Sequence, residues 1–554
     1  MPETNNRLRI IPLGGVDEFG KNITVVEYGN DIIVIDCGSI FPKEDMLGVD
    51  LVIPDVTYLI KNRSKIRGLI ITHGHEDHIG ATPYVLKQVP MPMYGSKLAL
   101  ALVDLKLKEH RIGGVPLQVV RPDDEILLGC FQIRFIHVTH SIAGSMALAV
   151  TTPVGTVIFS GDFKVDYTPI DGRVTDLATF AEYGKKGVLA FFCESTNIDR
   201  KGYTMSESKI EQTFIEMFQH AKGRVITAMF ASNIHRVQSV IDSAALFRRK
   251  VCFVGRSMVN VSRVAMSIEE LRIPADMLID IDDIDSLPDE EVLVITTGSQ
   301  GEAMAGLTRM AHGEHRKLRI RETDMVILSA SPIPGNEKAV SRVINQLYRC
   351  GATVMYGQLG EVHVSGHACQ EEIKLLHALV KPQYFVPYHG EYSNLWKHAE
   401  LAESMGMNPA NIVLPEVGQV IEMNRKELLI SGTVPTGGVL VDGLGIGDVG
   451  NVVLRDRKHL SQDGLIIVVM AIDRDAGLLV SGPDLISRGF VYVRENEDII
   501  ESSRALARNI ALSYRRIDGS EWQGLKNRIK DELYRHINEK IKRNPMILPI
   551  IMEI

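Results

Sequence analysis

The chain has 554 residues, more than a single hydrophobic core organises, so two to four domains are expected. Hydrophobic residues make up 45% and charged residues 23%, the make-up of an ordinary globular protein rather than a disordered or membrane-embedded one. With 61 Lys and Arg against 69 Asp and Glu the formal charge is −8, which excludes binding to nucleic acid by bulk charge; an anionic substrate must be attracted locally, by metal ions, backbone amides or a basic groove.

In chain order, residues 1–203 read as short strands separated by Gly, Pro and Asp. Runs at 23–28, 32–35, 68–72, 131–138 and 156–160 are β-branched or alternating, and a helical stretch lies at 97–109. From 204 to 362 the pattern changes. Stretches 205–219 and 233–247 have helical period, and 251–254, 292–296 and 325–329 read as buried strands, each followed by a Gly-containing loop and a helix. After SPIPGNE, Val340, Val343, Ile344 and Leu347 share one helix face. This alternation predicts an inserted parallel-sheet α/β domain. Residues 363–431 return to the mixed strand pattern, the Gly-rich stretch 432–450 reads as a linker, and 451–554 as a small α+β domain. In that last domain strands at 464–472 and 478–481 precede two helices, the second carrying Trp522, Leu525, Ile529, Leu533, Ile537 and Ile541 at helical spacing. Its mildly basic tail reads as a solvated helix face in an oligomerisation domain.

Cys37, Cys130, Cys193, Cys252, Cys350 and Cys369 are scattered with no C-x-x-C pair, against both a disulfide framework and a zinc ribbon. The opening MPETNNRLRIIPLGG has no apolar signal core, and the longest apolar run, near 465–472, is too short to span a bilayer. A cytoplasmic protein without membrane contact is expected.

The sharpest signal is ITHGHEDHIG at 71–80, after a buried strand. In extended backbone residues two apart point the same way, so His73 and His75 face one point, while Asp77 and His78 open the next turn and face a second. Imidazole with carboxylate suits zinc, with manganese as the alternative. Four side chains do not close two metal sites. The missing donors belong at other strand ends: His140 after FIHVT, Asp162 after TVIFSG, and His389 in YFVPYHGEY. Asp162 is the natural bridge, with an oxygen for each ion. Asp36, after IIVI, fits a role orienting a ligand imidazole, and His137 reads as structural.

These motifs resemble the metallo-β-lactamase superfamily. The resemblance implies an αββα sandwich in which His73, His75, His140 and Asp162 hold one metal and Asp77, His78, Asp162 and His389 the other. The superfamily's diiron branch has Glu where this chain has His75, which favours zinc. The insert at 204–362 resembles the β-CASP domain of nucleic-acid-processing members, through Glu194 in CESTN, His367 in HVSGHA and His389, a His typical of RNA-acting members. ASNIHRVQ, TGSQGE, SPIPGNE, INQLYR, SGHACQEE and the terminal NPMILPIIMEI extend the resemblance to the bacterial ribonuclease J family over essentially the whole chain. SIAGS at 141–145 replaces the family's more usual SIPDS, and Glu194 stands where Asp is common; both keep the metal ligands.

The implied activity is a 5′-to-3′ exoribonuclease preferring 5′-monophosphate ends, with endonuclease activity, in mRNA turnover and rRNA maturation. The expected nucleophile is a hydroxide activated by two metals. Asp77 orients it, His367 is the candidate general acid or donor to the scissile phosphate, and Glu194 orients His367 or is simply a buried, hydrogen-bonded carboxylate. Two segments are expected to hold RNA phosphates: Ser232, Asn233 and Ile234 at a helix N-terminus, and His363, Val364, Ser365, Gly366 and His367 in a small turn. On the residues alone, Ser232 and Asn233 read first as a helix cap. The resemblance further implies a structural calcium near the backbone of Leu47 and Val49 with Asp442. It also implies a homodimer or homotetramer through the C-terminal domain, with a paralogous subunit or RNA-degradation proteins as partners. The competing readings are a hydrolase of small thioesters or lactams, a weakly active or non-catalytic RNA-binding scaffold, and a DNA nuclease.

Overall fold

The structure, a computed structural model, describes residues 7–43, 45–300, 305–332, 336–357, 362–443, 445–473, 476, 478–490, 497–513 and 522–554. It forms two compact units, one of Met1–Ile40 with Val52–Val439, the other of Phe41–Leu51 with Leu440–Ile554.

In the first unit two sheets face each other. One has eight strands, ordered Leu428–Thr433, Gln419–Met423, Leu8–Gly14, Ile23–Tyr28, Asp31–Ile35, Ile66–Ile70, Met93–Gly95 and Leu117–Val119. The other has six: Tyr384–Tyr388, Val188–Glu194, Gly155–Phe159, Met146–Thr152, Phe131–His137 and Glu125–Leu128. Alternation along the strands sends Ile33, Ile35 and Ile70 of one sheet against Phe131, Phe135, Val150 and Phe159 of the other. The outer face of the second sheet is covered by helices Leu177–Lys186, Gln370–Val380 and Tyr392–Ser404, through Phe180, Ile373, Leu376 and Ala402. Helices Thr82–Gln88 and Lys97–Glu109 belong to the first sheet's side, completing the αββα layering the motifs imply.

The insert is a five-stranded sheet, ordered Lys250–Val254, Val292–Thr296, Val225–Ala228, Met325–Leu328 and Thr353–Met355, with every pairing parallel. On helix Glu337–Arg349, Val340, Val343 and Leu347 are buried as expected, and Ile344 lies at the margin. Arg224, fully buried, is held by Asp324 through two bonds of 2.9 and 2.7 Å, so its charge is paired rather than stranded.

Three expectations are corrected. The strand expected to run to residue 72 stops at Ile70, because the Thr72 N–H donates to the Asp36 carboxylate (2.8 Å) instead of to a sheet neighbour. The stretch 432–450 is not a bare linker. It carries strand Gly438–Asp442, which turns at Gly443 (φ +57°) and pairs with Gly445–Ile446. And the C-terminal unit holds a helix, Asn451–Asp463, and a strand, Met546–Glu553, beyond the elements expected there.

In that second unit strand Leu465–Asp473 lies between Leu478–Arg488 and Met546–Glu553. Helices Glu497–Ser513 and Trp522–Ile541 cover one face, where Leu525, Ile529, Leu533 and Ile537 are wholly buried. On the other face Leu548, Ile550 and Met552 alternate outward, each 40–49% exposed, and Ile486 is 45% exposed. No helix among the described residues is long and apolar enough to cross a membrane.

Candidate metal centre

Past Ile70 the chain bends at Thr72 and reaches His75 in extended backbone (φ −73°, ψ 153°), where it caps the short helix Glu76–Ile79. His73 and His75 therefore converge, with His73 Nε2 3.1 Å from His75 Nδ1. His140 Nε2 lies 3.1 Å from the same His75 atom, and Asp162 Oδ2 lies 3.6 Å from His73 Nε2 and 3.9 Å from His140 Nε2. The helix turns Asp77 and His78 toward a second point. There His78 Nε2 is 3.5 Å from Asp77 Oδ2, His389 Nε2 is 3.2 Å from it, and Asp162 Oδ2 is 3.3 and 3.8 Å from the two rings. All seven expected side chains thus gather into two sets of four that share Asp162.

Four donors on a tetrahedron about 2.1 Å from an ion stand about 3.4 Å apart, close to the separations here. Without an ion, His75 Nδ1 can donate its single proton to only one of the two ring nitrogens that lie 3.1 Å from it, and the buried Asp162 Oδ1 has no hydrogen-bond partner. The donor chemistry and this orphan oxygen fit a pair of divalent ions. Burial holds His73 and His140 well below the usual imidazole range and His75 at about 4, so at neutral pH they are the unprotonated rings a metal requires. Burial opposes charge on Asp162, but His389, His78 and His73 hold its carboxyl well below the usual range.

Each ring is aimed by a partner on its other nitrogen. His78 Nδ1 faces Asp36 Oδ2 at 2.8 Å, as expected of Asp36. His140 Nδ1–H donates to the Gly366 carbonyl at 2.7 Å, and His389 Nδ1 meets the Thr196 hydroxyl at 2.8 Å. Asp36 and His389 both hold left-handed backbone (φ 61° and 55°), conformations that cost non-glycine residues energy and here direct a side chain into the centre. Sequence reasoning passed over Asn22, whose amide reaches Asp77 Oδ2 and His78 Nε2 at 3.3 and 3.1 Å, and Thr196; neither carries a spacing signal. His137 keeps outside the centre, on the Arg173 carbonyl at 3.1 Å.

His367 stands at the rim, its Nδ1 2.9 and 3.0 Å from the Glu194 oxygens and 3.9 Å from Asp162 Oδ2. Burial disfavours its charge, but Glu194, then Asp162 and Asp77, raise it to about 9. Glu194 also accepts the Phe163 N–H at 3.0 Å, so both readings of this carboxylate describe part of its surroundings. The two expected phosphate segments meet through Arg236, which the sequence reading did not single out. It donates to His363 Nδ1 (2.7 Å) and the Val364 carbonyl (3.1 Å), while Glu207 holds its guanidinium at 2.7 and 3.0 Å. Asn233 caps the helix, accepting from Arg236 N at 3.1 Å; Ile234 is buried; and Ser365 Oγ accepts from Asn197 at 2.8 Å. His140, Ser141, Asn233 and His235 line one cavity, so the helix cap and the metal centre share it.

At the segment where a calcium is expected, Arg457 stands between Leu47 and Asp442. The Arg457 guanidinium donates to the Leu47 carbonyl at 3.0 Å and to the Asp442 carboxylate at 2.5 Å, while Val49 N–H is engaged with the Met46 carbonyl. A cation of the chain itself thus engages one oxygen of Leu47 and one of Asp442. Added calcium is therefore expected to leave the melting temperature of the C-terminal unit unchanged, whereas Arg457→Ala lowers it; a calcium-dependent rise in the wild-type chain, read by differential scanning calorimetry, would contradict this.

Sequence profiles match four segments of the chain: the metallo-β-lactamase superfamily at residues 16–190, the ribonuclease J β-CASP domain at 222–347, the Zn-dependent metallo-hydrolase RNA specificity domain at 355–415, and the ribonuclease J C-terminal domain at 452–554. Ribonuclease J2 of Bacillus subtilis is 42% identical over 553 residues, covering 100% of both chains. Ribonuclease J of Thermus thermophilus is 42% identical over 99% of this chain and 96% of its own, and ribonuclease J 2 of Staphylococcus aureus 38% identical over 99% of each. A solved structure of a protein of unknown function from Enterococcus faecalis superposes with TM-score 0.55 at 16% identity, covering 75% of this chain and 100% of that one, which bears on the fold alone.

Proposed function

Since this chain belongs to the ribonuclease J family and is a metal-dependent ribonuclease, we propose that it digests RNA from 5′-monophosphate ends, with endonucleolytic cuts where the cleft admits a continuous strand. The observation that carries this reading is the shared Asp162 oxygen between two complete ligand sets, with the His367–Glu194 pair beside it. His73, His75 and His140 with Asp162 would hold one ion, and Asp77, His78 and His389 with Asp162 the other; zinc is the proposed metal. When bound, the ions supply Lewis acidity and a water-derived nucleophile near neutral pH.

The chain's own groups do the rest. Asp77, fixed by Asn22 and His389, orients the attacking water. His367, held protonated by Glu194 at its Nδ1, presents Nε2 to the scissile phosphate. Water attacks phosphorus and passes a proton to the Asp77 carboxylate, the bond from phosphorus to the 3′-oxygen breaks, and His367 gives its proton to that oxygen, leaving a 5′-phosphate and a 3′-hydroxyl; the proton on Asp77 then leaves to solvent and His367 is reprotonated. His363, which burial and then Arg236 hold at about 3, is neutral, so recognition of a terminal phosphate falls to backbone N–H groups of the 363–367 turn and to the Ser232 and Ser365 hydroxyls. Arg236 and Lys164, the cations beside these segments, are already paired with Glu207 and Asp166, so the end group this pocket is proposed to take is a monophosphate rather than the more highly charged triphosphate. On matched RNAs of one sequence, the 5′-monophosphate form is expected to be degraded at least about tenfold faster than the triphosphate form. Equal rates would remove the phosphate pocket from this account.

Assembly through the C-terminal unit belongs to the same reading, as does action in the cytoplasm on messenger and ribosomal RNA. The outward apolar row Leu548, Ile550 and Met552 is what a homodimer interface would bury. Ile550→Asp is expected to convert a dimer to a monomer in sedimentation velocity at micromolar concentration; an unchanged sedimentation coefficient would place any contact elsewhere.

A further inference from the structure

We propose that Glu372 is a positioning residue for the metal centre, its buried carboxylate fixing the backbone on which Asp162 and His367 stand; this rests on the paired-ion reading above. Glu372 lies in the first turn of helix Gln370–Val380 and is wholly buried. Its Oε1 accepts the Val165 N–H at 2.7 Å, and its Oε2 accepts the N–H groups of Thr204 at 2.7 Å and Cys369 at 2.8 Å. The bond to Cys369 belongs to the capping box of the helix and by itself would serve only stability. The other two are not local. They come from segments 207 and 168 residues away in the sequence, and both lead to the centre.

Val165 follows Asp162 by three residues, and each N–H from Phe163 to Val165 is engaged. Phe163 N–H donates to Glu194 at 3.0 Å, Lys164 N–H donates at 2.8 Å to the carbonyl of Thr139, the residue before His140, and Val165 N–H donates to Glu372. Thr204 and Cys369 lead to His367. Cys369 stands two residues beyond it, and the Thr204 hydroxyl donates to the His367 carbonyl at 2.7 Å. One carboxylate therefore joins the strand end that carries the shared ligand to the turn that carries the proposed acid. Burial raises the Glu372 carboxyl, and the three backbone N–H groups oppose that rise, so they stabilise the ionised form. A shift of Asp162 by half an ångström changes its distances to both ligand sets at once. Groups that hold a ligand in this way are worth about 10- to 100-fold in metal affinity or turnover.

Glu372→Gln keeps the size of the side chain but offers one acceptor oxygen in place of two. The amide oxygen can serve Thr204 and Cys369, which leaves its NH₂ facing the Val165 N–H, donor against donor. In the full-length, metal-loaded protein this variant is expected to lower kcat on RNA about 100-fold, with KM changed less than about threefold. It should also weaken metal retention against a chelator at least about tenfold and alter the visible spectrum of the cobalt-substituted protein. Glu371→Gln, one residue away and outside these bonds, should match the wild type in all of these. If Glu372→Gln does not fold, Thr204→Val carries the test. It leaves the carboxylate and its three N–H groups in place, cuts the hydroxyl link to His367, and should lower kcat at least about tenfold with metal retention unchanged. Folded Glu372→Gln protein with wild-type kcat, metal retention and cobalt spectrum, whatever its melting temperature, would overturn the proposal. Wild-type kcat in Thr204→Val would do the same. A wild-type chain that retains no metal would instead remove the paired-ion reading, and this proposal with it.

Discussion

Asp162→Ala is expected to abolish RNA cleavage, lowering kcat on the order of 10⁴-fold or more, and to reduce bound metal from two ions per chain to none. The reason is its position. Asp162 Oδ2 belongs to both ligand sets, at 3.6 and 3.9 Å from His73 and His140 and at 3.3 and 3.8 Å from His78 and His389. Its charge also offsets a crowd of imidazoles, and it raises His78 in concert with Asp77 and Asp36 against the burial that opposes that charge. His75 touches one set only. His75→Ala is therefore expected to lose the ion of that set, keep the other, and still abolish turnover while the fold survives. The two variants are separated by metal content measured on the purified proteins. Equal metal loss in both would mean that the two sets do not act as distinct sites joined through Asp162.

Gly366→Ala is expected to be nearly as damaging although it removes no functional group. A Cβ on Gly366 would stand 2.7 Å from His140 Cε1, 2.8 Å from His140 Nδ1 and 2.8 Å from Ser141 Oγ, well inside contact distance. His140 is in no position to yield: its Nδ1–H is bonded to the Gly366 carbonyl itself and its Nε2 faces His75. The ring, the turn, or both must move, and ligand geometry is unforgiving at half an ångström. The expected result is a 10²-fold or larger fall in kcat with weakened metal retention. Wild-type kcat in Gly366→Ala, determined on the same RNA, would show that the 363–367 turn and His140 are not coupled as described.

These residues also mark how much could be read before the fold was known. The seven candidate ligands were legible because their spacing expresses a backbone rule: two residues apart in extended chain, then a helical turn, then polar residues at strand ends. Asp36 was legible for the same reason. Asn22, Thr196 and Arg236 were not, since each reaches the site from a segment whose local pattern looks like any loop or helix, and only the sheet order brings it near. The parallel sheet of the insert followed from strand–loop–helix alternation. The hairpin inside 432–450 was hidden because glycine content masked the short alternation of Val439 and Val441. Arg457 was not legible because a long side chain reaching Leu47 and Asp442 from a later helix leaves no trace in local spacing; the calcium expectation there came from the resemblance alone.

The most direct test of the paired-ion account is a cleavage assay on one RNA of defined ends with metal content determined by mass spectrometry on the same preparation. The account predicts two divalent ions per chain, loss of activity on chelation in step with loss of metal, and recovery on adding zinc or manganese. Efficient cleavage by protein containing less than one ion per chain would contradict it.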